Sequence, residues 1–379
     1  MYEKTYAQGA HRMKKSTLAR FASIIFSFAL LGNSNDGCNC TAIQLPPISY
    51  TDSTGISPAY SVFVESQDVG GLWSEIDSLA FARKLTAGSF TNTDNIFILV
   101  GQDTANRATI WLSTDNGFHW ASALTLINGT TTFNDITHTP GYARLVAVSS
   151  GGQAFLSNNN GVTWAAQSSA GPALNGVDFF EGANIGVAVG NNGTILRSVD
   201  AGSNWAAVSS GTAQDLFGVH CIGSPTSPTD TIVAVGAGGT IVRSTDAGLT
   251  WAVTTLPRSM ILKAVSFSGL QAGRYGIAVG NNRAIFKTTD NGNNWTEISY
   301  FPGYGNHEDV VVSADGSKGV AMNSNAGTTI YISTDRGQQW NPTSPGLPGH
   351  SAIEGVYLYK FVFRNDDLNG YVFAVGVPN

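Results

Sequence analysis

The sequence predicts an all-β fold: a seven-bladed β-propeller that is closed by two strands from each end of the chain and preceded by a signal peptide. Three observations lead to this prediction. One eight-residue motif recurs seven times at a nearly constant spacing. The stretches between its copies contain strand patterns separated by turn residues. The composition, with 44 Gly and only 12% charged residues in 379, is typical of a turn-rich β protein.

The repeated motif has Ser or Thr at its first position, Asp or Asn at its third, Gly at its fifth and Trp at its eighth. Its third-position residues are Asp68, Asp115, Asn159, Asp200, Asp246, Asp290 and Asp335. Its tryptophans are Trp73, Trp120, Trp164, Trp205, Trp251, Trp295 and Trp340. Successive tryptophans lie 41 to 47 residues apart, which is the length of one four-stranded repeat unit.

Each position of the motif has a structural use. An Asp or Asn side chain accepts backbone N–H groups about two residues further on, and Gly supplies the positive φ of a tight hairpin turn. The Trp starts the next strand and buries its ring against the neighbouring sheet. Asn159 can hold such a turn but is a poor general acid. We therefore expect these residues to be structural, and neither catalytic nor metal-binding.

One repeat, residues 262–299, shows the four strands of a blade. Residues 264–267 alternate between apolar and polar, as in a half-buried strand. Residues 275–280 form a near-continuous apolar run, which suits a strand covered on both faces. A third strand at 284–288 leads into the motif, and a fourth at 295–298 follows it.

The two ends of the chain each hold half of a repeat. After Trp340 come a first strand at 355–359 and a second at 371–376. Near the other end, a third strand at 60–64 leads into a fourth that starts at Trp73. Two strands from each end then complete one blade, which protects the strand edges of the ring. The predicted propeller covers residues 58–379.

The amino-terminal residues 1–37 are predicted to be a signal peptide with an upstream extension. Three basic residues, Lys14, Lys15 and Arg20, precede an uncharged apolar run at 21–31. That run has the length of the apolar part of an export signal and is short for a membrane span. Met13 suits such a signal as its start, with Met1 as the alternative. We expect an exported protein in the periplasm, on the outer membrane as a lipoprotein, or outside the cell.

Residues 38–57 are a predicted linker that begins with Cys38. A Gly precedes this cysteine, as at bacterial lipoprotein cleavage sites, but Asn35 stands three residues before it where an aliphatic residue is usual. Lipidation of Cys38 and ordinary cleavage nearby are both open. Attachment to a membrane would then use a lipid on Cys38 or an uncleaved signal.

Several classes of function are excluded by composition. The net charge is −6 and Lys and Arg do not cluster, so nothing would neutralise the phosphates of a nucleic acid. Three cysteines form neither a disulfide framework nor a zinc-binding spacing, and Cys221 is expected to be a small buried residue. No phosphate-binding loop, metal cluster or Ser/His/Asp set is found, and we expect no cofactor.

The motif copies resemble the BNR, or Asp-box, repeat over about residues 60–376. The fuller pattern at 188–205, repeated at 234–251, is most similar to the photosystem II stability/assembly factor family of Ycf48/HCF136-like propellers. The resemblance implies a seven-bladed, exported, non-enzymatic protein of a family that helps to assemble a membrane complex. Sialidases share the box, but the Arg-Ile-Pro segment and the arginine triad that they need are not found.

A candidate site lies where the first strands begin, at the mouth of the central channel. Aligning these strands on their first β-branched residue gives one column around the mouth, which reads Lys84, Asn134, Asn175, Phe217, Lys263, Glu308 and Glu354. Four of these form a charged arc, with Asp309 beside it. Three loops that depart from the repeat (256–262, 301–309 and 342–354) and a nearby turn bring further candidates to the same sector, namely Arg258, Arg283, Tyr304, His307 and His350.

The arc allows two interpretations. Glu308 and Glu354 could raise each other's pKa and act as acid and base. Alternatively, Lys84 and Lys263 neutralise them in a solvated rim network, which we favour. The first function we predict is an exported, non-catalytic propeller that binds a protein or a glycan as an assembly-type scaffold at the cell envelope. The alternatives are a sialidase-like hydrolase or glycanase that uses Glu308 and Glu354, and a surface-coat or adhesion subunit.

Overall fold

A computed structural model describes residues 61–66, 73–79, 82–91, 96–115, 117, 119–126, 131–139, 144–168, 170–180, 183–223, 231–269, 274–298, 305–313, 315–324, 328–343, 356–363 and 372–378. The chain divides into two units, Met1–Ser49 and Tyr50–Asn379, and all described residues lie in the second. The predicted signal peptide, the linker and Cys38 lie outside the described residues, as do Asp68, Tyr304, His350 and Glu354.

The described residues form 28 strands and two single-turn 3-10 helices, so the prediction of an all-β protein is confirmed. The strands are β1 (Ser61–Ser66), β2 (Trp73–Leu79), β3 (Ala82–Phe90), β4 (Phe97–Asp103), β5 (Ala108–Ser113), β6 (Ala121–Thr125), β7 (Phe133–His138), β8 (Leu145–Ser149), β9 (Ala154–Ser157), β10 (Ala165–Ala166), β11 (Leu174–Phe179), β12 (Gly186–Gly190), β13 (Ile195–Ser198), β14 (Ala206–Val208), β15 (Leu216–Ile222), β16 (Thr231–Gly236), β17 (Thr240–Ser244), β18 (Ala252–Thr255), β19 (Leu262–Phe267), β20 (Gly276–Gly280), β21 (Ile285–Thr288), β22 (Thr296–Glu297), β23 (Asn306–Val312), β24 (Gly319–Ser324), β25 (Thr328–Ser333), β26 (Asn341–Thr343), β27 (Val356–Phe363) and β28 (Val372–Pro378). The 3-10 turns are Asn191–Gly193 and Ala237–Gly239.

These strands are arranged as seven four-stranded antiparallel sheets. Six sheets each contain four consecutive strands, from β3–β6 to β23–β26, and the seventh has the order β2-β1-β28-β27. In that sheet β1 pairs with β28, with Val62 opposite Gly376. The first and the last described strands of the chain therefore share one sheet.

The first strands of the sheets contact one another in a closed succession. The order is β3, β7, β11, β15, β19, β23 and β27, and β27 in turn contacts β3. These strands therefore surround a common centre, with the second, third and fourth strands further out.

Burial follows this arrangement. The second strands β12, β16 and β20 are buried at every residue, because sheets cover both of their faces. The outermost strands β10, β18 and β22 are exposed at every residue. The core lies between sheets, as in a cluster that joins Val233 and Ile241 of one sheet to Leu262, Phe267 and Phe286 of the next.

The turn motif forms the same hydrogen bonds in successive copies. In the fourth copy, the Ser198 hydroxyl donates to Asp200 Oδ1 (2.9 Å) and accepts from the Gly202 N–H (2.9 Å). Asp200 Oδ1 also accepts from the Asn204 N–H (2.8 Å), and the Trp205 indole N–H donates to the Gly202 carbonyl (3.0 Å). The same four bonds recur in the copies that begin at Ser113, Ser157, Ser244 and Thr288.

The acceptor geometry differs from the expected one. We expected the Asp to bind the N–H two residues further on, but the Ser hydroxyl takes that N–H and the carboxylate reaches four residues ahead. Desolvation raises the pKa of Asp200, but hydrogen bonds from Asn204 and Ser198 outweigh it and hold the pKa below its usual value. The carboxylate is therefore ionised and committed to the turn.

The motif tryptophans pack on the sheets that they adjoin. The ring of Trp205 meets Phe179 edge-on at 5.9 Å, and that of Trp295 meets Phe267 at 5.8 Å. Both phenylalanines belong to the first strand of the same sheet as the tryptophan. The rings thus tie the motif turn to the inner strand of its own sheet as well as to the core between sheets.

Candidate functional site

Each first strand carries an extra residue, a β-bulge, near its start, and β3 has a second one at Arg83. The register against the second strand skips the equivalent residue in all seven sheets. The bulged residues are Thr86, Asn134, Asn175, Phe217, Lys263, Glu308 and Tyr359. Because the bulge holds the same place in each strand, these residues form one ring of equivalent positions around the centre.

The bulges correct two members of the column predicted from the sequence. In β3 the equivalent position is Thr86 and not Lys84, and in β27 it is Tyr359 and not Glu354. In the other five first strands, a β-branched residue lies two residues after the bulge and marks the correct register. In β3 this position is Gly88 and in β27 it is Phe361, so the prediction was out of register in these two strands.

A cavity of about 410 Å³ opens at this ring. Its lining residues are Lys84, Thr86, Asn134, Asn175, Phe217, Ile261, Lys263 and Glu308. Lys84 therefore faces the same cavity, although it stands two residues before the bulge. Six of the seven residues predicted for the column line it, and Glu354 lies outside the described residues.

On one side of the cavity, three polar side chains bind the neighbouring first strand. Thr86 Oγ1 donates to the carbonyl of Phe133 (2.6 Å), and Asn134 Nδ2 to that of Leu174 (2.8 Å). Asn175 Nδ2 donates to the carbonyl of Leu216 (2.8 Å). In each case the acceptor is the residue directly before the next bulge. We call Thr86, Asn134 and Asn175 the closing half of the mouth, because they hold adjacent first strands together.

The other side has a different chemistry. Phe217 offers only a ring, and Lys263 Nζ forms an ion pair with Glu308 Oε2 at 2.5 Å, with both side chains partly buried. Ile261 is 37% exposed beside them. We call Phe217, Ile261, Lys263 and Glu308 the recognition half. The ion pair favours the neutralised rim network over a pair of catalytic carboxylates.

The loop candidates are placed differently. The Arg258 guanidinium pairs with Glu297 Oε1 (2.8 Å) and is exposed, and the N–H of Arg283 donates to the Gly305 carbonyl (3.0 Å). His307 was expected in a loop, but it is the second residue of β23 and fully buried, with its ring edge-on to Tyr331. Desolvation lowers the pKa of His307 to about 4, so its imidazole is neutral. It therefore packs the core, because the strand starts earlier than the sequence indicated.

Asp309 is buried and belongs to a charged group deeper in the centre. Desolvation lowers the pKa of Lys360, but the charges of Asp135, Asp309 and Asp178 outweigh it and raise this pKa above its usual value. The Lys360 ammonium lies 3.5 Å from Asp135 Oδ1. These residues come from β27, β7, β23 and β11, so one lysine near the centre contacts the carboxylate of one other sheet and is influenced by the charges of two more.

Two of these carboxylates also bind the backbone of the next first strand. Asp135 Oδ2 accepts from the Val177 N–H (3.2 Å), and Asp178 Oδ2 accepts from the Cys221 N–H (2.8 Å). Sequence reasoning missed this group, although Asp135, Asp309 and Lys360 each follow a bulged residue directly. In the part of the chain that the structure describes, no cluster of His, Cys, Asp or Glu has the arrangement of a metal site. The same residues contain no helix with the length and hydropathy that a membrane crossing needs.

Four-stranded sheets whose first strands surround one centre, with Asp-box turns between their third and fourth strands, define a β-propeller of the BNR-repeat class. A family model described as "Photosynthesis system II assembly factor YCF48" matches residues 199–349. The predicted resemblance to Ycf48-like BNR propellers is thereby confirmed over the part of the chain that this model matches. The match to an assembly factor supports the prediction that the chain is not an enzyme. None of the curated proteins matches the sequence.

Solved structures show the same fold. A structure titled "YCF48 bound to D1 peptide" is 18% identical, with a TM-score of 0.57 over 84% of this chain and 96% of that chain. YCF48 from Cyanidioschyzon merolae is 16% identical, with a TM-score of 0.58 over 83% of this chain and 97% of that one. An ancestral GH74 enzyme is 16% identical, with a TM-score of 0.54 over 69% of this chain but only 37% of the enzyme. At these identities the likeness extends to the fold alone.

Proposed function

We propose that this protein is a non-catalytic, seven-bladed propeller that binds a protein partner at the channel mouth and serves as an assembly-type scaffold at the cell envelope. The observation that carries this proposal is the mouth cavity. It is framed by first strands that bulges and hydrogen bonds hold in place, as a preformed binding site requires.

Two further observations support a protein partner. The matched family segment, residues 199–349, contains the whole recognition half. One of the structures with this fold is a YCF48 bound to a peptide. A catalytic role for Glu308 is disfavoured, because its carboxylate is held by Lys263 at 2.5 Å.

The cellular location is part of the proposal. The basic residues and apolar run of residues 14–31 support export, and the Gly before Cys38 supports lipidation as one route to the envelope. Mass spectrometry of the mature amino terminus from the native host tests both. An unprocessed terminus recovered from the cytoplasm would contradict export.

The function is tested by capture from envelope extracts of the host with the purified protein and with a Lys263→Ala/Glu308→Ala double variant. We expect a defined protein to bind the wild type and to be lost from the variant. Aryl glycosides are offered to the wild type and to Glu308→Gln in parallel. Turnover that disappears in Glu308→Gln would replace the binding role with glycoside hydrolysis.

A further inference from the structure

The residues that directly follow the bulges form a second ring around the centre, one residue further along each first strand. Starting from β27, and in the order of the sheets, they are Lys360, Ala87, Asp135, Gly176, Gly218, Ala264 and Asp309. One part of this ring therefore has small residues, and the other part, around β27, has mostly charged ones.

In the small part, the first strands approach one another backbone to backbone. A Cβ atom at Gly176 would lie 2.8 Å from the carbonyl oxygen of Phe217, and one at Gly218 would lie 2.7 Å from that of Lys263. No side chain therefore fits between β11 and β15, or between β15 and β19, at this level of the ring.

In the charged part, one side chain reaches beyond the neighbouring sheet. Lys360 of β27 extends past β3, where Ala87 has only a methyl group, and its Nζ lies 3.5 Å from Asp135 Oδ1 of β7. Asp135 is held in place in turn, because its Oδ2 accepts the Val177 N–H of β11 (3.2 Å). Lys360 thus links β27 to β7 and, through Asp135, to β11.

The seventh sheet, with the order β2-β1-β28-β27, contains a seam in the chain. Its inner strands β1 and β28 are the first and the last described strands, and they pair from Val62 with Gly376 to Ser66 with Val372. In the other six sheets the strands are consecutive, so the chain itself connects each pair of neighbouring strands. Separating β1 from β28 would break that one strand pairing and leave the other pairings within the sheets intact.

The ion pair of Lys360 crosses this seam. On one side are β27 and β28, and on the other are β1 and the sheets that contain β3 and β7, so Lys360 and Asp135 lie on opposite sides. Opening of the ring at the seam must therefore separate the ammonium from the carboxylate. Both groups are partly shielded from water, with side chains that are 36% and 10% exposed, so their attraction opposes this separation.

We propose that the ring opens and recloses at this seam while the six other sheets stay folded, and that the pair of Lys360 and Asp135 is the latch that keeps the seam shut. Folded proteins open locally in cooperative units, and the units with the fewest stabilising contacts open first. Strand β3 adjoins the seam and supplies Lys84 and Thr86 to the mouth cavity, so opening also changes one wall of that cavity. The latch itself is independent of what the mouth binds.

The experiment is hydrogen–deuterium exchange of the purified full-length protein, measured by mass spectrometry of its peptides. The reporters at the seam are β1 and β28, and the matched reporters are β16 and β17, the inner strands of a sheet without a seam. In the wild type, we expect β1 and β28 to exchange at least about tenfold faster than β16 and β17. Their exchange should also depend less on urea, because opening of the seam exposes less surface than global unfolding does.

Two variants break the latch from opposite sides. Lys360→Met removes the ammonium, and Asp135→Asn removes the negative charge but keeps an oxygen for the Val177 N–H. Each should speed the exchange of β1 and β28 at least about fivefold, although Asp135 belongs to a different sheet. Lys360→Arg keeps the cation and should stay within about twofold of the wild type.

The matched control is Ser266→Ala. It removes the hydrogen bond from the Val312 N–H to Ser266 Oγ (3.0 Å), which joins β19 to β23 away from the seam. Because this bond is present whether the seam is open or shut, the control should change the exchange of β1 and β28 by less than about twofold.

Equal exchange rates and equal urea dependence in the two pairs of strands would mean that the ring unfolds as one unit, and this result would overturn the proposal. A seam that opens separately, but responds to Lys360→Met and Asp135→Asn no more than to Ser266→Ala, would overturn the latch. Exchange as fast in Lys360→Arg as in Lys360→Met would also overturn it, because the charge of Lys360 would then not hold the seam.

Discussion

The lysine at the centre of the molecule gives the sharpest prediction about stability. In Lys360→Met, the side chain keeps its apolar stem and loses the ammonium that lies 3.5 Å from Asp135. The substitution leaves three carboxylates near the centre, those of Asp135, Asp178 and Asp309, without the cation that offsets them. We therefore expect a loss of folding free energy.

The magnitude follows from the burial of the pair. Removing one member of a fully buried ion pair costs about 3–5 kcal/mol. The Lys360 side chain is 36% exposed and that of Asp135 is 10% exposed, so solvent screens part of the interaction. We expect a loss of about 1–3 kcal/mol, which for a domain of this size lowers Tm by roughly 2 °C per kcal/mol.

The assay is urea unfolding followed by circular dichroism, with Lys360→Met, Asp135→Asn and the double variant in one cycle. The coupling energy should be at least about 1 kcal/mol. The exposed pair of Arg258 and Glu297 is the matched control, and Arg258→Gln should cost less than about 0.5 kcal/mol.

The pH dependence has a defined sign. The folded protein raises the pKa of Lys360 above the ordinary value of 10.5, so the pair contributes its full stability below that value. The difference between wild type and Lys360→Met should shrink as the pH rises above about 10.5. Equal stability of the two proteins at pH 7, or strictly additive single variants, would refute this account of the centre.

Three further predictions concern the turns and the core. Gly202 has φ 85°, and a Cβ there would lie 2.6 Å from Val146 Cγ2. Gly202→Ala should therefore lower the free energy of unfolding in urea by about 1–3 kcal/mol. Gly171 has open space around it, so the control Gly171→Ala should be nearly neutral. Asp246→Asn should change the free energy of unfolding by no more than about 0.5 kcal/mol, because Asn159 already holds the turn in the third copy. Asp246→Ala removes the acceptor and should cost about 1–2 kcal/mol. Equal losses in the two variants would contradict the turn geometry. Burial lowers the pKa of His307 from its ordinary 6.5 to about 4, so its contribution to folding stability is complete above pH 6.5 and is lost as the pH falls from there towards about 4. His307→Phe should remove part of this acid sensitivity. An unchanged dependence of the unfolding free energy on pH would argue against a buried neutral imidazole.

The repeat was predictable from the sequence because each motif copy is a local structure. Its hydrogen bonds join residues two to four apart, as from Ser198 to Asp200 and from Asp200 to Asn204. Such bonds depend on the order of residues and not on distant parts of the fold. The strands between the motifs were predictable for the same reason, because the order of apolar and polar residues that indicates a strand is also local.

The site was predictable only in part because bulges are set by pairing between strands. Lys84 was placed in the column two residues too early, since the first β-branched residue of β3 is the bulged Thr86 itself and Gly88 stands two residues after it. The group around Lys360 was missed because its members come from four sheets. Each of its residues alone looks like an ordinary charged position, and only the closed succession of first strands brings them together.

The sheet that contains β1 and β28 has a consequence for the order of folding. Six sheets consist of consecutive strands, so each can form as soon as its own stretch of chain has left the ribosome. Strand β1, by contrast, must wait for Val372–Pro378, since Val62 has Gly376 as its partner. Until that segment arrives, the ring is an open arc with two unsatisfied edges, and any factor that protects the newly made chain must do so until Val372–Pro378 have emerged.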